Sequence, residues 1–424
     1  MRAAAALCLF AAAAAAQGLK PAEAAARMER MLMDNILKFW HPHALDTEHG
    51  GYRLNHDERG VWKGDAPKAV VTQARMVWFF ARMARAGHGD RKQMLDAAEH
   101  GYRFLMERMW DARHGGFFWR VDATGRQKLA PKKHLYGQAF ALYALSEYAM
   151  ASGRKDVVEA AVRLFELLEA KAHDPRHGGY LEYFNEDWTL PPADERGYMG
   201  VTRDFKLMNT HLHLMEAMTS FYRASALPLA RERLIELITI EGSAVVRHAY
   251  GACSDRHRPD WTPVLDGPGG RASYGHDLEL ENIWLLEDAL RAAGLPVAPW
   301  TDFFRNNFEY SMKYGWDPRL GGFWDWGPLG KPAESRVKIW WVQAEALVSA
   351  LAMYRLTGEP RYWNVFEKTW RFIEQFMADT ERGEWWPQTD ENGKPGGNKA
   401  YEWKAAYHNG RAMIEGLLIL RGLQ

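Results

Sequence analysis

The chain has 424 residues, 47% of them hydrophobic, with 54 basic and 54 acidic side chains. A formal net charge of zero with no long basic run excludes an electrostatic platform for nucleic acid or an anionic membrane surface, and this length can bury a large core. Its 19 Trp, 17 Tyr and 19 Phe suit core packing and also stacking against the flat faces of sugars.

The chain opens with Arg2 and then an alanine-rich apolar run through Leu7, Cys8, Leu9 and Phe10 to Ala16. A charged start, a short apolar stretch and small residues before Gln17 are the pattern of a secretory signal, and the run falls short of the roughly 20 residues of a membrane span. Residues 1–16 are expected to be a signal peptide, residues 17–424 a single catalytic domain, and the protein exported to the periplasm. Losing Cys8 leaves Cys253 alone, which excludes an internal disulfide and a cysteine-based zinc cluster.

From Asp46 onward one phrase recurs: Asp46-Thr-Glu-His-Gly-Gly-Tyr52, Asp111-Ala-Arg-His-Gly-Gly-Phe117, Asp174-Pro-Arg-His-Gly-Gly-Tyr180, Asp317-Pro-Arg-Leu-Gly-Gly-Phe323 and a degraded Asp379-Thr-Glu-Arg-Gly-Glu-Trp385. The spacing is regular apart from one gap about twice as long, where a worn sixth copy is expected at His248-Ala-Tyr-Gly-Ala252. Asp starts a turn, paired glycines permit positive φ, and the aromatic anchors the chain in the core. Between the phrases the pattern is helical. Phe140, Tyr143, Ala144 and Tyr148 fall at helical intervals, as do Val157, Ala161, Leu164 and Leu168, and the run from Trp341 to Tyr354 repeats the pattern. Two helices per unit and six units predict an all-α (α/α)6 barrel, twelve helices in two concentric rings.

Four polar clusters sit at the starts of apolar helices. His134 and Gln138 share a face in the first, and Asn209, His213 and Glu216 share one in the second, with His211 pointing elsewhere. In the third, Glu279 lies three residues after His276 and is expected to orient it, with Glu281 off that stripe; the fourth is Tyr407-His-Asn-Gly-Arg411, led by Trp403. Imidazoles brought to one mouth of a closed ring can remove a proton from one face of a carbon and return it to the other. A metal site using His211, His213, His276 or Asp277 is the sharper competitor, although no His-Glu-x-x-His helix is present. No Gly-x-Ser-x-Gly elbow or Gly-x-Gly-x-x-Gly turn occurs, and no facing carboxylate pair stands out for glycoside hydrolysis.

Five segments, Lys133 to Phe140, Asn209 to His213, Tyr274 to Glu279, Lys338 to Ala346 and Tyr407 to Arg411, resemble in content and order the N-acylglucosamine 2-epimerase superfamily, its cellobiose branch most of all. The resemblance runs from about Met31 to the C-terminus. It implies an (α/α)6 barrel and a reaction without metal or cofactor that inverts C2 of the reducing-end sugar of a β-1,4-linked disaccharide through a cis-enediol. It implies His276 and His408 as acid and base, His213 as the residue assisting ring opening, and Arg75 as the group stabilising the enediolate oxygen. Tyr136, Asn209, Glu279, Trp340 and Trp403 match residues around the sugar. A disaccharide partner is expected, with no nucleic acid and no membrane, for a monomer or weak homodimer. An aldose-ketose isomerase, an N-acylglucosamine 2-epimerase and an (α/α)6 glycoside hydrolase are the alternatives. The chain departs from the resemblance at Ala405-Ala406, where the family often has Cys-Pro, and in the run from Leu280 to Trp284, which is longer than usual.

Overall fold

The computed structural model describes residues 18–280 and 284–423. The expected signal peptide, Glu281 and most of the Leu280 to Trp284 departure lie outside the described residues. The helices are α1 (21–40), α2 (Val70–Ala86), α3 (91–109), α4 (Leu135–Ser152), α5 (Lys155–Lys171), α6 (Met208–Ser225), α7 (228–244), α8 (Tyr274–Leu280), α9 (Trp284–Ala292), α10 (Thr301–Tyr314), α11 (Trp340–Thr357), α12 (360–377) and α13 (His408–Gly422). They form the predicted (α/α)6 barrel. The inner ring is α2, α4, α6, α8 with α9, α11 and α13; the C-terminal α13 packs on α2, which closes the inner ring, and on the N-terminal α1, whose Arg27 reaches Glu374 of α12 in the outer ring.

Inner and outer helices differ in burial for a simple reason. An inner helix has protein on all sides, so α4 is buried along nearly its whole length, not on one stripe. Outer helices such as α3 keep one buried face and expose the other. Left-handed glycines end three inner helices, Gly87 after α2, Gly153 after α4 and Gly358 after α11, whereas α6 ends at Ala226 with φ 54°.

The repeated phrase folds as a hairpin whose parts are locked by residues from the next inner helix and the segment leading into it. Asp46 accepts from the backbone amides of Glu48 and His49, and Lys68 donates to Asp46 at 2.7 Å and to the Gly50 carbonyl at 2.6 Å. The same buried pairing recurs as Lys133 with Asp111, Lys206 with Asp174, Lys338 with Asp317 and Lys399 with Asp379. Breaking one of these pairs leaves a buried charge unmatched, at a cost of about 3–5 kcal/mol. Five residues beyond each of the first four such lysines stands the residue that holds the aromatic's backbone: Gln73 on Tyr52, Gln138 on Phe117, His211 on Tyr180 and Gln343 on Phe323.

The two irregular copies follow from this arrangement. In the worn copy the pair Val246 and Cys253 replaces the Leu45 and Tyr52 bridge, so Arg247 stands where Asp does elsewhere. The lysine position is Ala272, which avoids two buried cations, and Asp277 accepts from the Cys253 amide at 3.0 Å. In the degraded copy Glu384 takes the second glycine's place at φ 64°. A Cβ at Gly51 would lie 2.6 Å from the Gln73 amide oxygen, but the last helix supplies the shorter Asn409, and the Glu384 carboxylate itself accepts from Trp385 and Asn409.

The all-α reading omits a ring of short antiparallel strand pairs at the mouth. The strand before each inner helix pairs with the hairpin of the next unit: Lys68–Ala69 with Arg120–Val121, Lys133–His134 with Tyr183–Phe184, Lys206–Leu207 with Arg256–His257, Arg271–Ser273 with Trp326–Pro328, and Lys338–Ile339 with Gln388–Thr389. A bridge from His56 to Ala400 completes the circle.

Candidate active site

The first turns of the inner helices all point into the mouth of the barrel, so residues at matched positions converge. Two residues past the clamp position come Arg75, Phe140, His213, Glu279, Glu345 and Arg411, one from each unit in order. One residue before the clamp come His276 in the fourth unit and His408 in the sixth. These two histidines are therefore equivalent residues two helices apart, facing the axis from different directions. Trp341, from the unit between them, touches both rings, 4.8 Å from His276 and 5.7 Å from His408 between centroids.

A cavity of about 640 Å³ opens here. All nine residues predicted from the sequence line it: Arg75, Tyr136, Asn209, His213, His276, Glu279, Trp340, Trp403 and His408. The sequence reading missed Trp341, from the first turn of α11, and Asp325, Tyr401 and the segment from Tyr198 to Gly200, which come from the loops. One signal for that segment exists, since the Asp174 to Lys206 stretch is about ten residues longer than the matching stretches of other units.

Arg75 donates to the Trp403 carbonyl at 3.0 Å and the Tyr136 hydroxyl at 3.2 Å, and its guanidinium lies over the Phe140 ring at 4.3 Å. That fixes a cation at the wall. His213 Nδ1 meets Glu216 at 3.0 Å and His408 Nδ1 meets Glu345 at 2.7 Å, which leaves each Nε2 for the cavity. His276 has no hydrogen-bond partner among the described residues. Contrary to the sequence expectation, Glu279 turns to Arg411, and its neighbouring imidazole is His408 at 3.9 Å. Asn209 Oδ1, Glu279 Oε2 and Trp340 Nε1 are buried in this wall without a hydrogen-bond partner among the described residues.

Below this layer Arg411 donates to Glu216, Glu279 and Glu345, the last at 2.8 Å, and the Tyr407 hydroxyl donates to Glu216 at 2.6 Å. Burial opposes ionisation of Glu216, but Arg411 and His213 overcome it and hold the carboxyl at about 2. Burial and the nearby Glu345 push Glu279 up to about 7. Burial, with His213 nearby, lowers His276 to about 3; burial with Arg75 and Arg411 lowers His408 well below the usual imidazole range. Both imidazoles are thus neutral in the resting site and able to accept a proton.

Residues outside the cavity are structural. His134 caps α4 by accepting from the Tyr136 amide, and Gln138 clamps Phe117. His211 uses both ring nitrogens, one with the Leu207 carbonyl and one with the Tyr180 amide, which leaves none for a metal, and Asp277 holds the Cys253 amide outside the cavity. Glu279, Glu345 and His408 lie close enough together to hold a cation, but the Arg411 guanidinium already fills that charge position. No described helix is long and apolar enough to cross a membrane.

The N-acylglucosamine 2-epimerase (GlcNAc 2-epimerase) family matches residues 50–412. The chain belongs to that family. It is 30% identical to a cellobiose 2-epimerase of Dictyoglomus turgidum over 91% of this chain and 95% of that protein. The solved cellobiose 2-epimerase of Spirochaeta thermophila superposes with a TM-score of 0.84 at 35% identity, covering 95% of this chain and 98% of that one. A D-mannose isomerase of Marinomonas mediterranea is 26% identical over 92% of this chain and 96% of its own length. As an N-acylglucosamine 2-epimerase family member the chain is a carbohydrate isomerase.

Proposed function

We propose that this isomerase inverts C2 of the reducing-end sugar of a β-1,4-linked disaccharide, converting cellobiose to glucosylmannose. The observation that carries the reading is the pair His276 and His408, equivalent residues of two units against one indole in one cavity. Once the sugar ring is open, the C1 carbonyl makes the C2 proton acidic. One imidazole takes that proton through its free nitrogen; the C2–H electrons form the C1–C2 double bond of a cis-enediolate, and the carbonyl π electrons move to O1. The other imidazole takes up a proton from solvent as negative charge forms on the enediolate and delivers it to the opposite face of C2 while the O1 electrons re-form the C1 carbonyl; the first imidazole then releases the abstracted proton to solvent. Arg75 serves as the cation for the enediolate oxygen, since its charge is held in place before negative charge develops. His213, held by Glu216, assists ring opening. Tyr136, Asn209, Glu279, Trp340 and Trp403 seat the sugar. No metal or cofactor is needed for these steps.

The test is incubation of metal-stripped protein with cellobiose in heavy water, followed by NMR at C2. Deuterium at C2 together with a mannose-configured product is expected; absence of exchange on every reducing β-1,4-disaccharide tried overturns the reading. The likeness to D-mannose isomerase supports a second reading, in which the proton returns to C1. A ketose product identifies that outcome. Export of the chain to the periplasm stays part of the proposal, tested by fractionating cells and sequencing the mature N-terminus.

A further inference from the structure

Beneath the sugar cavity one buried side chain is joined to the supports of two of the three imidazoles, and neither the family likeness nor the lining of the cavity accounts for it. Arg411 is fully buried, and its two terminal nitrogens are divided. Nη1 donates to Glu216 and to the Tyr407 hydroxyl, while Nη2 donates to Glu279 and, at 2.8 Å, to Glu345. Glu216 is the partner of His213 Nδ1 and Glu345 the partner of His408 Nδ1. The ring of Tyr407 lies under the guanidinium at 4.4 Å and that of Trp284 at 4.9 Å, so its plane is held from the sides as well.

We propose that Arg411 is a positioning residue that sets the tautomer and basicity of His213 and His408 together, by holding Glu216 and Glu345 ionised and aimed at their Nδ1 atoms. The reasoning rests on the proposed epimerisation for its kinetic readout but not for its structural one. Three carboxylates from three helices meet at one cation, and without that cation they repel one another. Glu345, already raised by burial, would then join Glu279 in holding a proton near neutral pH. An imidazole whose Nδ1–H loses an anionic acceptor is a weaker base at Nε2 and turns more freely. The charged or titratable groups facing His408 are Glu345, Glu279, Arg75, Arg411, His213 and His276, and of these only Arg411 bonds to both carboxylates.

The experiment compares wild type with Arg411→Met and Arg411→Lys on cellobiose across pH. In Arg411→Met a roughly 100-fold fall in kcat is expected with KM within about threefold, since the sugar contacts stay in place. The acid limb of its kcat profile moves up by about one pH unit or more because Glu345 keeps a proton to higher pH. Arg411→Lys, which keeps the charge but not the fork, recovers part of the loss. Folded Arg411→Met with kcat unchanged, or with the loss confined to KM, overturns the proposal, as does an equal loss at every pH. Where Arg411→Met does not fold, Glu345→Gln keeps the cation and removes one carboxylate charge; it is expected to lower kcat by a similar factor, and a kcat within twofold of wild type overturns the idea. Should wild type fail to act on cellobiose, the functional reading falls alone. Imidazole proton–nitrogen NMR then tests the positioning: Nδ1–H forms of His213 and His408 in wild type, lost in the variants, support it, and unchanged tautomers sink it.

Discussion

In the proposed reaction Arg75 is a single side chain prepared for charge that exists only during turnover. Its guanidinium is already bonded to the Trp403 carbonyl and the Tyr136 hydroxyl and stacked on Phe140, so no reorganisation is needed when an oxyanion forms beside it. Lysine retains the charge but neither the fork nor the stacking. Arg75→Lys is therefore expected to lower kcat by roughly 100-fold with a smaller effect on KM, measured by steady-state kinetics on cellobiose. The depressed imidazoles set the sign of the pH dependence. His276, lowered to about 3 by burial, is neutral throughout the neutral range, so its readiness to accept a proton fails only in acid. Activity lost as pH falls through neutrality is then expected to come from other groups, Glu279, which burial and Glu345 push up to about 7, and Glu345, which burial raises.

At the scale of the helix and its hairpin, the same position is filled by different chemistry in different units, which makes the units controls for one another. His211 does the work of Gln73, Gln138 and Gln343, bonding the backbone of the preceding aromatic. Burial lowers it to about 3, below the ordinary value of 6.5. Between those values the unfolded chain binds the proton and the folded chain does not, so stability falls as pH drops from 6.5 toward 3. His211→Gln is expected to fold and to flatten the fall of Tm between pH 7 and pH 5; an unchanged slope contradicts the assignment. Ala226 supplies a second comparison. It ends α6 in the left-handed conformation that Gly87, Gly153 and Gly358 adopt after their helices. Relieving that strain in Ala226→Gly should raise stability by about 1 kcal/mol, read from denaturant unfolding, because the Cβ penalty outweighs the added freedom of the unfolded chain.

Across the whole molecule, the repeat is what made the fold and much of the cavity readable. The phrases from Asp46 to Trp385 locate the hairpins, and the interval between them sets the number of helices. The hairpin at Arg247 to Cys253 also occupies the place expected for the worn copy. What the sequence did not disclose depends on contacts between units. Nothing along the chain tells the lysines from Lys68 to Lys399 which aspartates they pair with, and the strand ring at the mouth consists of pairs too short to leave an alternating pattern. Glu279 was assigned to His276 by spacing along one helix, but a cation from another helix, Arg411, draws it away. Closure of the ring by α13 on α1 and α2 brings His408 round toward His276, a juxtaposition that no local pattern records. The central claim is that these two imidazoles serve opposite faces of one carbon. It is tested most directly by His276→Asn and His408→Asn in heavy water, starting separately from cellobiose and from glucosylmannose. Neither variant should interconvert the sugars, yet one should still exchange the C2 proton of cellobiose and the other that of glucosylmannose. Continued epimerisation by either variant, or exchange of both sugars by the same variant, contradicts the account.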